Sequence, residues 1–359
     1  MCFKIIERIS RDLVVFFFHL TDSITMILSN PSSFLIPGSL LILVPAVLCG
    51  CSEEVHAPEP QNTKYIQGAD YRTIYDLEQD SALDIFAFED DIFRRLDSYQ
   101  RIEDFSGDKT AISSTGGNKI FVLCLNIGRK RYEWTDIRSY SSLKGVFCNL
   151  ESERCDSRSM SGEFIGAAGS VHASSILKPI ACEVVLKSIG CDFSGTPYSQ
   201  SVIEDVRVYL INVCATHPVI CDDDYRPSRY INMGLFNPDD VLNFKDECSI
   251  IQNVAEVIDI NTIYPEVTLL CYPNSPDEDS PGSPRTRMVI EGKVDSQIYY
   301  WPVTVNGKEG IERGCRYTYD ILIRRKGVTD PDTPIDPASV EINMRIKPWK
   351  EKEEYYVGF

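Results

Sequence analysis

Residues 313–359 read RGCRYTYDILIRRKGVTDPDTPIDPASVEINMRIKPWKEKEEYYVGF. The first third is a β-branched and aromatic run, the composition of a strand. A break containing Pro331, Pro334 and Pro337 follows, and proline cannot continue a ladder. The chain then alternates: Val340, Ile342, Met344 and Ile346 fall on one face, and Glu341, Asn343, Arg345 and Lys347 on the other. Period two with one apolar face is what a half-buried strand needs. A strand at a chain end, behind a proline-rich linker, is free to pair with its own sheet or with a neighbour's, the second being strand addition. From the residues alone, self-pairing is the simpler reading. Full burial of the four apolar side chains would then be worth roughly 6–12 kcal/mol, at about 1.5–3 each.

The same signature recurs upstream. Strands are predicted at 82–88 (ALDIFAF), 119–127 (KIFVLCLNI), 182–193, 205–213, 267–272, 287–292, 297–305 (QIYYWPVTV) and 316–325. Gly, Pro, Asn and Asp clusters separate them, which indicates antiparallel β-sandwiches. Helical spacing of Ile137, Tyr140 and Leu143 predicts one short helix, with Thr135 or Asp136 as its cap. Asn237-Pro238 opens a second, and residues 272–287 read as a long polar hairpin loop. The expected fold is all-β: an N-terminal sandwich over 82–176, a C-terminal sandwich over 177–359, and minor short helices.

Residues 1–50 read as an export segment. The apolar run 34–50 ends in small residues and is followed by Cys51-Ser52-Glu53-Glu54. Leu48-Cys49-Gly50-Cys51 resembles a lipobox, which makes Cys51 the expected acylation site. The acidic residues behind it resemble the tag that sends lipoproteins to the cell exterior. Residues 51–81 are then a polar, acidic tether. Either Met1 or Met26 is a possible start.

The net charge of −17 at neutral pH repels nucleic acid and anionic membrane surfaces and keeps a secreted protein soluble. No GxSxG, GxxxxGK, GxGxxG or HExxH pattern occurs. Cys214 and His217 are close in sequence, but a nucleophile and its base normally come from distant segments. Asp222-Asp223-Asp224 lacks the spacing of a cation loop. No catalytic residue, metal or cofactor is expected. Ten cysteines follow Cys51. Export permits disulfides, with Cys148/Cys155, Cys182/Cys191 and Cys214/Cys221 the nearest pairs.

Ile311-Glu312-Arg313, Tyr319-Asp320-Ile321 and Asp330-Pro331-Asp332-Thr333-Pro334-Ile335 resemble the C-terminal pattern of FimA-type fimbrillins, the subunits of type V pili of Bacteroidales-type bacteria. Tyr299-Tyr300-Trp301-Pro302-Val303 resembles that family's YYPV strand, and Trp349 its late tryptophan. Residues 82–88 resemble the first mature strand, 120–126 a later one, and Met160-Ser161-Gly162-Glu163 a short turn. The resemblance spans roughly residues 82–359.

It implies two transthyretin-like sandwiches, a lipoprotein precursor on the outer membrane, and assembly by donor-strand exchange. Val340, Ile342, Met344, Ile346 and Trp349 would be the donated strand. In stalk subunits a trypsin-like protease removes an N-terminal strand. The candidate cuts here are Arg72, or the Arg94-Arg95 pair if the early strand is also removed. The tether offers only residues 71–77 as a removable strand, so a minor or anchoring role stands beside the stalk role. The implied partners are other pilus subunits, the outer membrane through the lipid, and a host or bacterial surface receptor. The alternative reading is a monomeric glycan-binding surface lipoprotein, with Tyr299, Tyr300 and Trp301 as an aromatic platform.

Overall fold

The computed structural model describes residues 63–66, 82–103, 105, 110–128, 131–155, 157–167, 177–221 and 225–348. These residues form an all-β sandwich fold with one short α-helix and several single 3-10 turns.

The chain is already paired before residue 82. Strand β1 (Thr63–Ile66) runs antiparallel to β4 (Thr110–Ser113), with Thr63 opposite Ser113. This corrects the expectation of a tether without structure up to residue 81. Thr, Tyr and Ile are good strand formers, but four residues are too few for periodicity to show.

A five-stranded sheet follows, in the order β3-β2-β5-β7-β8. Its strands are β2 (Leu83–Glu89), β3 (Leu96–Ile102), β5 (Asn118–Leu125), β7 (Met160–Ala167) and β8 (Lys178–Pro179). Both faces of β2 and β5 are buried. Leu83, Ile85, Phe121 and Leu123 pack with Phe105 and Leu177. Phe86, Phe88, Ile120 and Val122 enter the main core on the other side. A strand buried on both faces reads as a near-continuous apolar run, which is why LDIFAF and KIFVLCL were conspicuous. Residues 160–163 are not a turn: they begin β7 and pair with β5, Met160 opposite Leu125.

Two four-stranded sheets make the second sandwich, in the orders β14-β10-β16-β17 and β15-β9-β18-β19. The first holds β10 (Ile203–Ile211), β14 (Ile251–Ile258), β16 (Arg287–Val294) and β17 (Gln297–Thr304). The second holds β9 (Cys182–Cys191), β15 (Val267–Cys271), β18 (Cys315–Ile323) and β19 (Val340–Pro348). Every pairing is antiparallel except β18 on β9, which is parallel. Alternate residues such as Val184, Leu186, Val208, Leu210, Ile290, Trp301, Tyr317 and Tyr319 fill the shared core.

Two features join the halves of the chain. Strand β6 (Phe147–Asn149) pairs with β12 (Thr216–Pro218), Cys148 opposite His217. The Arg313 guanidinium donates to the carbonyls of Ser161, Lys178 and Pro179 at 2.9–3.2 Å.

Three local expectations need correction. Helix α1 (Tyr140–Lys144) is capped by Ser139, not by Thr135 or Asp136. Ser139 and Ser142 exchange side-chain and backbone bonds in a capping box. Residues 272–286 are not a hairpin loop, because they link β15 and β16, which lie in different sheets. Asn274 holds that crossover by donating to Pro284 O and Thr286 Oγ1. Cys182 and Cys191 stand at opposite ends of β9, about 30 Å apart at strand rise, so that pairing is excluded. Asn237-Pro238 does open a turn of 3-10 helix, with the Asn237 carboxamide accepting from Asp239 N.

Candidate functional site

Strand β19 carries four of the five residues expected to form a donated strand. Trp349, Cys51 and Arg72 lie outside the described residues, as do Asp222–Asp224. All nine residues of β19 pair antiparallel with β18: Val340 faces Ile323, Ile342 faces Ile321, Met344 faces Tyr319 and Ile346 faces Tyr317. The partners on β18 are at most 3 % exposed. On β19 only Val340 is buried; Ile342, Met344 and Ile346 are 40 %, 37 % and 45 % exposed. The apolar face therefore continues the core face of β18 past its edge and is only partly covered.

Backbone and charge hold β19 in place. Arg345 pairs with Asp320, and Arg324 with Glu341 at 2.8 Å. Asp320 also accepts from Ser188 Oγ at 2.6 Å, and that bond, with Arg345, holds its carboxyl below the usual range. These pairs are exposed and contribute little each.

The linker before β19 is fixed rather than loose. Asp332 accepts from Arg287 and, at 3.0 Å, from Asn212 Nδ2. Val328 forms a bridge to Tyr300. Gly327 sits so close to that strand that a Cβ would lie 2.2 Å from Tyr300 O, so only glycine fits. The Trp301 indole donates to Arg325 O at 2.9 Å, and Trp301 is fully buried. Of the three consecutive aromatics, Tyr299 and Tyr300 alone reach the surface, both half-buried.

Arg94 and Arg95 lie on the exposed turn between β2 and β3, beside Ile92 and Phe93. Arg94 has φ of 43°, and Arg94 N donates to Asp91 Oδ1 at 2.7 Å. The turn is accessible, but β2 behind it lies between β3 and β5.

Cys214 and His217 do not form a nucleophile–base pair. The Cys214 thiol donates to Thr216 O, and burial raises it to about 12. His217 Nδ1 bonds Pro218 O at 2.8 Å. Cys124, Cys182 and Cys271 are buried and raised in the same way, the behaviour of small hydrophobes. Cys182 and Cys271 stand opposite each other across β9 and β15, a juxtaposition that sequence spacing could not give.

No family model and no curated protein matches the sequence. Solved structures do match. A provisionally assigned cell adhesion protein from Bacteroides eggerthii aligns over 80% of this chain and 95% of its own, with TM-score 0.59 and 16% identity. A fimbrilin (FimA) from Porphyromonas gingivalis aligns over 81% and 99%, with TM-score 0.57 and 12% identity. A second provisionally assigned adhesion protein, from Parabacteroides distasonis, aligns over 81% and 97%, with TM-score 0.55 and 13% identity. The chain has the fimbrillin-type fold.

Proposed function

We propose that this chain is a non-enzymatic structural subunit of an adhesive cell-surface pilus, joined to its neighbours by donation of β19. The observation that carries the reading is a strand docked along its full backbone while its apolar face stays about 40 % open. A long, exposed, hydrophobic edge strand is a liability that proteins normally blunt. Completing the burial of Ile342, Met344 and Ile346 in a neighbour's groove would add about 2–4 kcal/mol, from about 40 % of 1.5–3 kcal/mol each. The fimbrillin-type fold supports the same reading.

Strand β1 supplies a candidate for the removable element. Arg72 lies between β1 and β2 in sequence, so a cut there would sever β1 from the chain and deprive β4 of its one partner among the described residues. A cut at Arg94 or Arg95 would instead have to free β2, whose apolar residues are at most 1 % exposed. Arg72 is therefore the favoured site in a stalk subunit. An anchoring subunit would keep Cys51, its lipid and β1, and would hold the pilus to the outer membrane.

The test is assembly after processing. Protein treated with a trypsin-like protease should form SDS-resistant ladders that begin after Arg72. Ile342→Asp should abolish them while leaving the monomer's melt within about 0.5–1 kcal/mol of wild type, since its site is already part-solvated. Ladders that persist in Ile342→Asp would refute donation. N-terminal sequencing that finds only lipidated Cys51 would assign the anchor role.

A further inference from the structure

A cleft of about 720 Å³ opens between β12, the turn at 225–227, the 273–277 crossover and the turn leading into β18. That volume is within the range of small-ligand sites. Two side chains on its wall have unspent bonding capacity.

The first is Arg313. Its Nε and Nη2 donate to Pro179, Ser161 and Lys178, which leaves the two protons of Nη1 open. No carboxylate pairs with it among the described residues. Of the thiols near it, burial holds Cys124 well above its ordinary value and lifts Cys182 to about 12, so neither supplies a counter-charge. A half-buried guanidinium without a counter-charge is costly to keep. The second is His217, 2 % exposed. Pro218 O can only accept, so Nδ1 carries the proton. Burial lowers the ring to about 4 and leaves it neutral at pH 7. Nε2 thus offers a lone pair and has no partner among the described residues. Tyr225 stands edge-on to the ring at 5.3 Å.

Around these two, the rim mixes signs. Lys178 brings donors and Glu309 and Glu312 bring acceptors, while Arg226 and Asp277 pair with each other at 2.7 Å on the exposed rim. A phosphate has at most two protons to share among these acceptors and brings up to two charges beside their carboxylates, and a neutral sugar would leave Arg313 uncompensated. A polyhydroxylated monoacid satisfies both. We propose that this cleft is a receptor site for a carboxylate-bearing sugar of a surface glycan, a hexuronate, with its carboxylate on Arg313 and a ring hydroxyl donating to His217. The proposal stands apart from strand donation and is tested on the monomer.

The experiment is calorimetric titration of the full chain with glucuronate, glucose, inorganic phosphate and penta-glutamate. Glucuronate should bind with Kd near 1 mM or tighter, at least about tenfold better than the other three. Arg313→Gln should weaken it about tenfold or more, and Arg226→Ala, at the exposed rim, about two- to threefold. Because Arg313 also ties β7 and β8, loss of folding in Arg313→Gln would move the decision to the wild-type protein. There, NMR of the His217 ring should shift on glucuronate addition and stay still with glucose. No glucuronate binding at about 10 mM would overturn the proposal. So would equal binding of glucose, tighter binding of phosphate or penta-glutamate, a folded Arg313→Gln of unchanged affinity, or a silent His217 ring at saturation.

Discussion

Strands β2 and β19 are both rich in apolar residues and both pair along their full length, yet their environments are opposite. In β2 every residue from Leu83 to Phe88 is buried, Asp84 included. In β19 Val340 is buried and the eight residues after it are exposed. The hydrogen-bond ladder is common to both, so it is not what distinguishes them. The difference lies in how many layers cover them: β2 has neighbours on both edges and cores on both faces, and β19 has one neighbour and an open face. A strand can thus be attached by its backbone and still withhold a sizeable part of its hydrophobic free energy, here about 40 % of the burial of Ile342, Met344 and Ile346. In β2 nearly all of that energy stabilises the monomer; in β19 part of it stays unspent.

The sharpest way to break this comparison is to remove equal kinds of contact from the two strands. Phe86→Ala deletes a ring that stacks near Phe88 and meets Trp134 edge-on. It should cost about 3–5 kcal/mol in urea denaturation. Truncation after Ser339 removes all of β19 but only one fully buried side chain among the described residues; it should cost about 2–4 kcal/mol, because the loss of about 4–8 kcal/mol of burial is partly offset by the ordering entropy of the strand. The remainder should still melt cooperatively, within the usual 5–15 kcal/mol of a domain. A truncated chain that is unfolded by circular dichroism would make β19 a core strand like β2.

Acid provides the finest probe. The bonds from Ser188 and Arg345 hold Asp320 below the ordinary carboxylate range. Stabilisation from that carboxylate is fully present above its unfolded value, about 3.9. It is lost as pH falls through the lower folded value. Asp84 in β2 is shifted the other way by burial, despite its bonds to Tyr99 and Arg101, so acid removes no carboxylate stabilisation there. Amide exchange, corrected for its intrinsic pH dependence, should therefore accelerate over 340–348 below about pH 4 while 83–88 keeps its protection. Equal protection of the two strands would remove the distinction.

Much of this was legible in residues 82–88, 119–127 and 313–347, because dense or strictly alternating apolar runs report strands directly. Strands β3 (LDSYQRI) and β14 (IQNVAEVI) were not foreseen. Every residue of β3 is half-buried, and β14 is an edge strand with mixed exposure, so neither keeps a clean period. The alternation in β19 was read correctly, but the absence of a cover is tertiary information that no local pattern carries. Arg313 was noticed as part of a motif, whereas its task depends on carbonyls more than a hundred residues upstream. His217 was weighed only as a catalytic base, since its register opposite Cys148 comes from the pairing of β12 with β6 and its aromatic neighbours, Tyr225 and Tyr272, from two further segments.

The Asp332 anchor has a mechanical consequence. With that carboxylate held by Arg287 and Asn212, a released β19 pivots from a fixed post on a leash of seven residues, 333–339, whose reach is at most about 25 Å. The freed strand remains at an effective concentration in the millimolar range over its own edge. Under the proposed donation, a neighbouring subunit would have to outcompete that local re-docking, and the short leash would leave it a narrow shell of positions from which to do so. If β19 is donated as proposed, the anchor would set the spacing at which one subunit can reach the next, in the way the length of a link sets the pitch of a chain.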